Sequence, residues 1–262
     1  MPPESTKRTV GVALAVSLVC SILVSATAVS LHERQEENRS GSTLRTILTD
    51  LDLIREGERI AQARERTEPM LVELATGEIL PPEQYDETLN LEDFDIQFLS
   101  SHPEYGRDIP DGKDLARIKR MPKYMKVFTV REREGEAVEK YAFQIYGRGL
   151  YSTMYGVLAL KADLETVDSI TFYDHGETPG LGGEIENSSW KRSWRGKEAL
   201  DESGNVLIEV LDGPVDPSRP GAERQIDGLS GATYTTRGVD NLVKFWLGED
   251  GYGPYIRKLR GG

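Results

Sequence analysis

MKVFTVREREGEAVEKYAFQIY, Met125–Tyr146, decides the fold. Apolar and polar residues alternate through KVFTVRE and again through VEKYAFQIY, with Gly135 between them. A side-chain period of two belongs to half-buried strands, so the stretch is read as an antiparallel hairpin. Downstream, VLALKA near Val157, DSITFYD near Ile170 and VLIEVL near Ile208 are further strand candidates. Between them stand a Gly-rich loop, GETPGLGGE, and SSWKRSWRG, read as a short helix. A last helix is expected from about Thr236 to Leu247, with Val239, Leu242, Val243 and Trp246 on one face and Gly248 ending it. Strands clustered between helices, without regular β-α alternation, give an α+β fold with an antiparallel sheet and flanking helices.

Upstream the pattern is weaker. Residues 80–112 are rich in Asp, Glu and Pro and read as an acidic surface connection of no assigned order. Leu44, Leu48 and Leu51 recur at helical spacing. Between Val10 and Leu31 lies a run of 22 residues without a charge. At 1.5 Å per residue such a helix spans roughly the 30 Å of a bilayer core. It is read as a retained transmembrane anchor; the alternative is a cleaved signal peptide ending near Ala26-Thr27-Ala28. Lys7 and Arg8 precede the run, which places residues 1–9 in the cytoplasm and the rest outside. The expected organisation is a transmembrane helix at 10–31, a tether at 32–42 and an extracytoplasmic domain at 43–262, facing the periplasm from an inner membrane.

Composition excludes several kinds of chemistry. With 44 acidic against 32 basic residues the formal charge is −12, which repels nucleic acid. A single cysteine, Cys20, excludes an intrachain disulfide and a multi-cysteine cluster. The three histidines form no HExxH, and neither a P-loop nor G-x-S-x-G occurs. GLGG at Gly180–Gly183 lacks the spacing of a dinucleotide fingerprint. No catalytic residue and no metal ligand is assigned.

One stretch remains, DGLSGATYTTRGV, Asp227 to Val239. Gly228 and Gly231 let several backbone N–H groups point into one concavity, Ser230 and Thr233 add hydroxyls, and the following helix aims its positive end at the same place. The stretch suits a phosphate, and a threonine hydroxyl can also be esterified by one. The plainer alternative is a turn in which Ser230 or Thr236 caps the helix. Residue chemistry alone leaves both open.

SGAT within this stretch resembles the flavinylation motif of the covalent FMN-binding domain family. GRGLYSTMYGVLAL at Gly147–Leu160 and FYDHGETPGLGGEIEN at Phe172–Asn187 resemble the C subunits of sodium-translocating NADH:quinone reductases, as do DLARIKRMPKY and the N-terminal helix. The likeness covers nearly the whole chain. It implies FMN attached covalently to Thr233 by a phosphoester, with Ser230, Gly231 and Ala232 in the attachment loop and an FMN-binding core over about 125–248. It further implies that Glu177, Thr178, Leu181 and Gly182 line the isoalloxazine and that Leu150, Tyr151, Ser152 and Thr153 pack near it. Some family members carry tryptophan where Tyr151 stands. The implied role is an internal electron carrier in a membrane complex that oxidises NADH, reduces ubiquinone and exports sodium, those three binding elsewhere. Its partners are the other membrane and peripheral subunits and, for maturation, a flavin transferase. The alternatives are the G subunit of an Rnf-type complex, which shares SGAT, and a non-redox membrane-anchored scaffold.

Overall fold

A computed structural model of the chain describes residues 8–27, 63, 65–133 and 135–261. The chain divides into two compact units, Met1–Thr46 and Ile47–Gly262. In the first, helix α1 (Arg8–Thr27) is long and apolar enough to cross a membrane and leaves Leu14, Leu18, Leu23 and the rest of its apolar side chains exposed. It begins two residues before the expected Val10. The expected continuation to Leu31, the tether and the helix through Leu44 lie outside the described residues.

The second unit is α+β. Its strands are β1 (Thr67–Glu73), β2 (Glu78–Ile79), β3 (Gly106–Asp108), β4 (Arg120–Pro122), β5 (Tyr124–Arg131), β6 (Val138–Arg148), β7 (Thr153–Lys161), β8 (Val167–Asp174), β9 (Glu209–Val210) and β10 (Gln225–Ile226). Its helices are α2 (Ile96–Ser101), α3 (Ser188–Ser193), α4 (Thr233–Leu247) and α5 (Gly253–Gly261). Six strands form one antiparallel sheet in the order β2-β1-β5-β6-β7-β8. The hairpin of the opening stretch is present, β5 and β6 turning through Gly135 at φ +81°. Val127, Phe143, Leu158 and Ile170 stand opposite one another across four strands, all buried.

Helix α4 lies against β6. Val239, Leu242, Val243 and Trp246 are its buried stripe, as the spacing predicts, and Gly248 is its C-cap. Trp246 Nε1 donates to the Tyr146 carbonyl at 2.6 Å, and the Tyr252 hydroxyl to that of Gln144 at 2.6 Å. Truncating a side chain buried like that of Trp246 costs roughly 3–5 kcal/mol. This packing fixes the axis of α4, and with it the place of its N-terminus.

The structure departs from the sequence reading in four places. The 80–112 stretch is ordered: Asp86 and Asn90 accept backbone N–H groups two and three residues on, Asp95 caps α2 in the same way, and Leu80, Leu89 and Leu99 are buried with Leu71 in a second core. The stretch stays on the surface, its carboxylates exposed, while Asp86 and Asp95 also serve as local backbone acceptors that order it. VLIEVL contributes only the two residues of β9, paired in parallel with β10 outside the main sheet. There the N–H of Val210 donates to Asp240 Oδ1 on α4. Strand β1 carries a weak sequence signal because Pro69 interrupts it. The proline is tolerated because β2 pairs only with Val72 and Glu73, so among the described residues no strand pairs with β1 on that side at residue 69. Helix α5 is equally hidden, although its Pro254 sits in the first turn, where no N–H is needed.

Candidate functional site

Helix α4 begins at Thr233, three residues earlier than the spacing suggests. Gly231 at φ +73° reverses the chain, Ala232 is the N-cap, and Thr233 is the first helical residue. Ala232 has no side-chain oxygen, so the first-turn N–H groups receive no side-chain cap. The first turn contains no acidic residue. Neither Ser230 nor Thr236 occupies the N-cap, so the plain capped-turn reading is not what forms.

The three threonines of this segment have different surroundings. Thr235 and Thr236 are each 1 % exposed. Thr236 Oγ1 accepts the N–H of Leu229 at 3.0 Å, which fastens the loop to the helix. Thr235 Oγ1 donates to Glu177 Oε2 at 2.5 Å. Thr233 is exposed, as are Ser230, Gly231 and Tyr234. Arg237, one turn on, is paired with Asp212 at 2.6 Å on the surface. That pairing holds the Asp212 carboxyl below its ordinary range.

All three sequence motifs meet at this helix end. The turn between β6 and β7 carries Leu150, Tyr151 and Ser152, and Thr153 opens β7. The loop after β8 carries Glu177, Thr178, Leu181 and Gly182. Ser152 Oγ accepts the N–H of Gly176 at 2.6 Å. The carbonyl of Thr178, whose side chain is exposed, accepts N–H groups from Leu181 at 3.1 Å and Gly183 at 2.9 Å. A Cβ on Gly231 would lie 3.2 Å from Leu181 Cδ2, which puts the SGAT loop beside Leu181. At Gly182 a Cβ would overlap Thr235 Oγ1, so this glycine is required by protein packing.

Glu177 ties the three motifs together. Its side chain is turned inward, 5 % exposed, and accepts N–H groups from Leu150, Tyr151 and Ser152 besides the Thr235 hydroxyl. Burial raises its pKa, but the hydrogen bonds from Thr235, Tyr151, Ser152 and Leu150 outweigh burial and hold the carboxyl below its ordinary range. His175 Nδ1 accepts the N–H of Glu177 at 3.2 Å, so Nε2 carries the proton shared with Glu186 at 3.0 Å. The sequence reading contains neither the Glu177–Thr235 bond nor the His175 contacts. Side-chain spacing gives no signal for bonds between segments so far apart.

What the arrangement leaves free is an anion-binding end and an apolar mouth. Uncapped N–H groups and two exposed hydroxyls suit a phosphate. Beside them Leu150, Tyr151 and Leu181 remain 42, 62 and 46 % exposed. A separate open groove of about 560 Å³ follows the loop after β8, lined by His175, Glu177, Pro179, Gly180, Glu184 and Glu186 among others, and includes neither of these hydroxyls nor Leu150, Tyr151 or Leu181. The uncapped helix end and the exposed apolar side chains beside it fit a ligand with a phosphate at one end and a planar ring at the other.

Comparison with known proteins agrees with this chemistry. Residues 149–248 match the family model described as an FMN-binding domain. The C subunit of the Na(+)-translocating NADH-quinone reductase of Pseudomonas aeruginosa is 41 % identical over 263 residues, covering 99 % of this chain and 98 % of that protein. Its counterpart from Yersinia pestis is 38 % identical, covering 99 % and 95 %. Among solved structures, Shewanella oneidensis NqrC superposes with a TM-score of 0.74 at 29 % identity, covering 86 % of this chain and all of that one. The corresponding protein of Parabacteroides distasonis, at 21 % identity and a TM-score of 0.60, covers 87 % of this chain and 96 % of its own, and shares the fold.

Proposed function

The chain belongs to the family of C subunits of Na(+)-translocating NADH-quinone reductases, and on that premise we propose that its FMN is joined to the Thr233 hydroxyl by a phosphoester. The protein is an electron-carrier subunit of that reductase, a translocase. The Rnf-type and scaffold readings are not favoured, since the relatives match over almost the full length.

The observation that carries the Thr233 assignment is the state of the neighbouring hydroxyls. Thr235 and Thr236 are buried and engaged with Glu177 and Leu229, whereas Thr233 is exposed at the helix end. A transferase acting on the folded surface has access to Thr233 alone among the three. The N–H groups at the start of α4 and the Ser230 hydroxyl would hold the phosphate. Leu150, Tyr151 and Leu181 would cover the ring and limit its contact with water, while Gly182 keeps the loop close to α4. FMN supplies the redox chemistry when bound, and the chain supplies position, shielding and local electrostatics.

Helix α1 serves as the membrane anchor in this reading, with the sheet domain on the periplasmic side of an inner membrane. The partners are the membrane and peripheral subunits of the reductase, and a flavin transferase during maturation. The exposed Tyr234 supports contact with such partners. The test is in-gel flavin fluorescence of the denatured protein after co-production with a transferase. Wild type should fluoresce and Thr233→Ala should not; fluorescence retained in Thr233→Ala rejects the assignment.

A further inference from the structure

We propose that Glu177 is a positioning residue: its carboxylate fastens the Leu150–Ser152 turn and the first turn of α4 to the loop after β8, assembling the attachment site before any flavin is present. The functional consequence rests on the reading above, while the geometry does not.

Glu177 Oε1 accepts from Tyr151 N at 2.9 Å and Ser152 N at 3.3 Å; Oε2 accepts from Leu150 N at 3.2 Å and from the Thr235 hydroxyl. Three consecutive amides thus converge on one side chain from a turn 25 to 27 residues away, and the hydroxyl comes from 58 residues away. Taking a carboxylate out of water costs several kcal/mol unless its lone pairs are met, and here neutral donors meet them. A Cβ on Gly149 would lie 2.5 Å from Oε1, and one on Gly182 would lie 2.9 Å from Oε2. The carboxylate therefore sits in a slot between two glycines, with little room to take another position.

The bonds link both sides of the apolar mouth. On one side they orient the turn bearing Leu150 and Tyr151; on the other they engage Thr235, two residues from Thr233. Loss of the carboxylate would free three adjacent amides and one threonine at once. A residue whose role was flavin contact alone would leave the apoprotein undisturbed, and this difference separates the two roles.

The test uses the full chain in detergent, produced without flavin transferase, and measures amide hydrogen exchange in wild type, Glu177→Gln, Thr235→Val and Thr235→Ser. Glu177→Gln keeps one acceptor oxygen and turns the other into a donor, so exchange should speed by about tenfold or more, the scale of a lost hydrogen bond to a charged group, at one or more of Leu150, Tyr151 and Ser152, with Phe143 and Leu158 unchanged. Thr235→Val should act in the same direction, and Thr235→Ser, which keeps the hydroxyl, should match wild type. Co-production with the transferase should then give less FMN per folded chain in Glu177→Gln and Thr235→Val but not in Thr235→Ser. Should Glu177→Gln fail to fold, the valine and serine pair decides the matter. Wild-type exchange at the three amides in Glu177→Gln, or equal behaviour of Thr235→Val and Thr235→Ser, overturns the proposal. If wild type takes up no FMN, the functional reading fails, while the exchange data still decide the role of Glu177.

Discussion

Lys126 fastens the acidic segment to the sheet, and its titration makes that contact measurable. It projects from β5, donates to the Leu91 carbonyl at 2.5 Å and lies 5.2 Å from the centre of the Phe94 ring. Burial, opposed by a weaker pull from Asp93, pushes its pKa from the ordinary 10.5 down to about 8. The sign follows from proton counting. Between pH 8 and 10.5 the unfolded chain holds a proton that the native chain has released, so raising the pH favours the native state. With those two values the gain from pH 7 to pH 10 is about 2.5 kcal/mol. Lys126→Met keeps an unbranched apolar stem and removes the titration. Urea unfolding of both proteins at pH 7, 8, 9 and 10 isolates the contribution, because tyrosines and other lysines titrate alike in each. Wild type should gain about 2–3 kcal/mol relative to Lys126→Met over that range. Parallel pH profiles, or a relative loss for wild type, would refute the burial of this ammonium and the packing of the acidic segment on it.

Other expectations concern the site and the anchor. Gly182→Ala must displace Thr235 or Glu177 and should cost about 1–3 kcal/mol in urea unfolding, with a changed visible flavin band; an unchanged midpoint and band contradict the packing described. Thr236→Val leaves the Leu229 N–H without its acceptor and should cost about 1–3 kcal/mol while FMN stays attached; loss of the flavin would move the attachment point. Reporter fusions after Leu31 should be active only with an extracytoplasmic reporter, and a mature N-terminus near Ser30 would replace the anchor by a cleaved signal.

The sheet is legible where its side chains obey a period of two. Met125–Tyr146 announces its hairpin through alternation and Gly135, and the strands at Val157 and Ile170 follow from the same signal. Elsewhere the local signal points away from the outcome. Pro69 argues against a strand, yet β1 forms because among the described residues no strand pairs with it on that side. Gly253-Pro254 reads as a breaker, although proline is welcome in a first helical turn. In 80–112 the carboxylates suggest solvent, and they are exposed, yet Asp86 and Asp95 also accept backbone N–H groups. At the site, each motif is visible as a string, because glycines and hydroxyls at short spacing have few uses. Their mutual arrangement is not visible. Nothing in the spacing of Glu177 and Thr235 announces a bond between them, since it depends on how α4 packs on β6.

Cleavage after Arg224 and Arg237 releases Gln225–Arg237, a peptide holding Ser230, Thr233, Thr235 and Thr236 together. Fragmentation mass spectrometry of this peptide, from wild-type protein matured with a flavin transferase, locates the attachment point. One FMN phosphoester is expected, localised to Thr233 and absent from the Thr233→Ala peptide. An unmodified wild-type peptide, or FMN localised to Ser230, Thr235 or Thr236, would contradict the assignment.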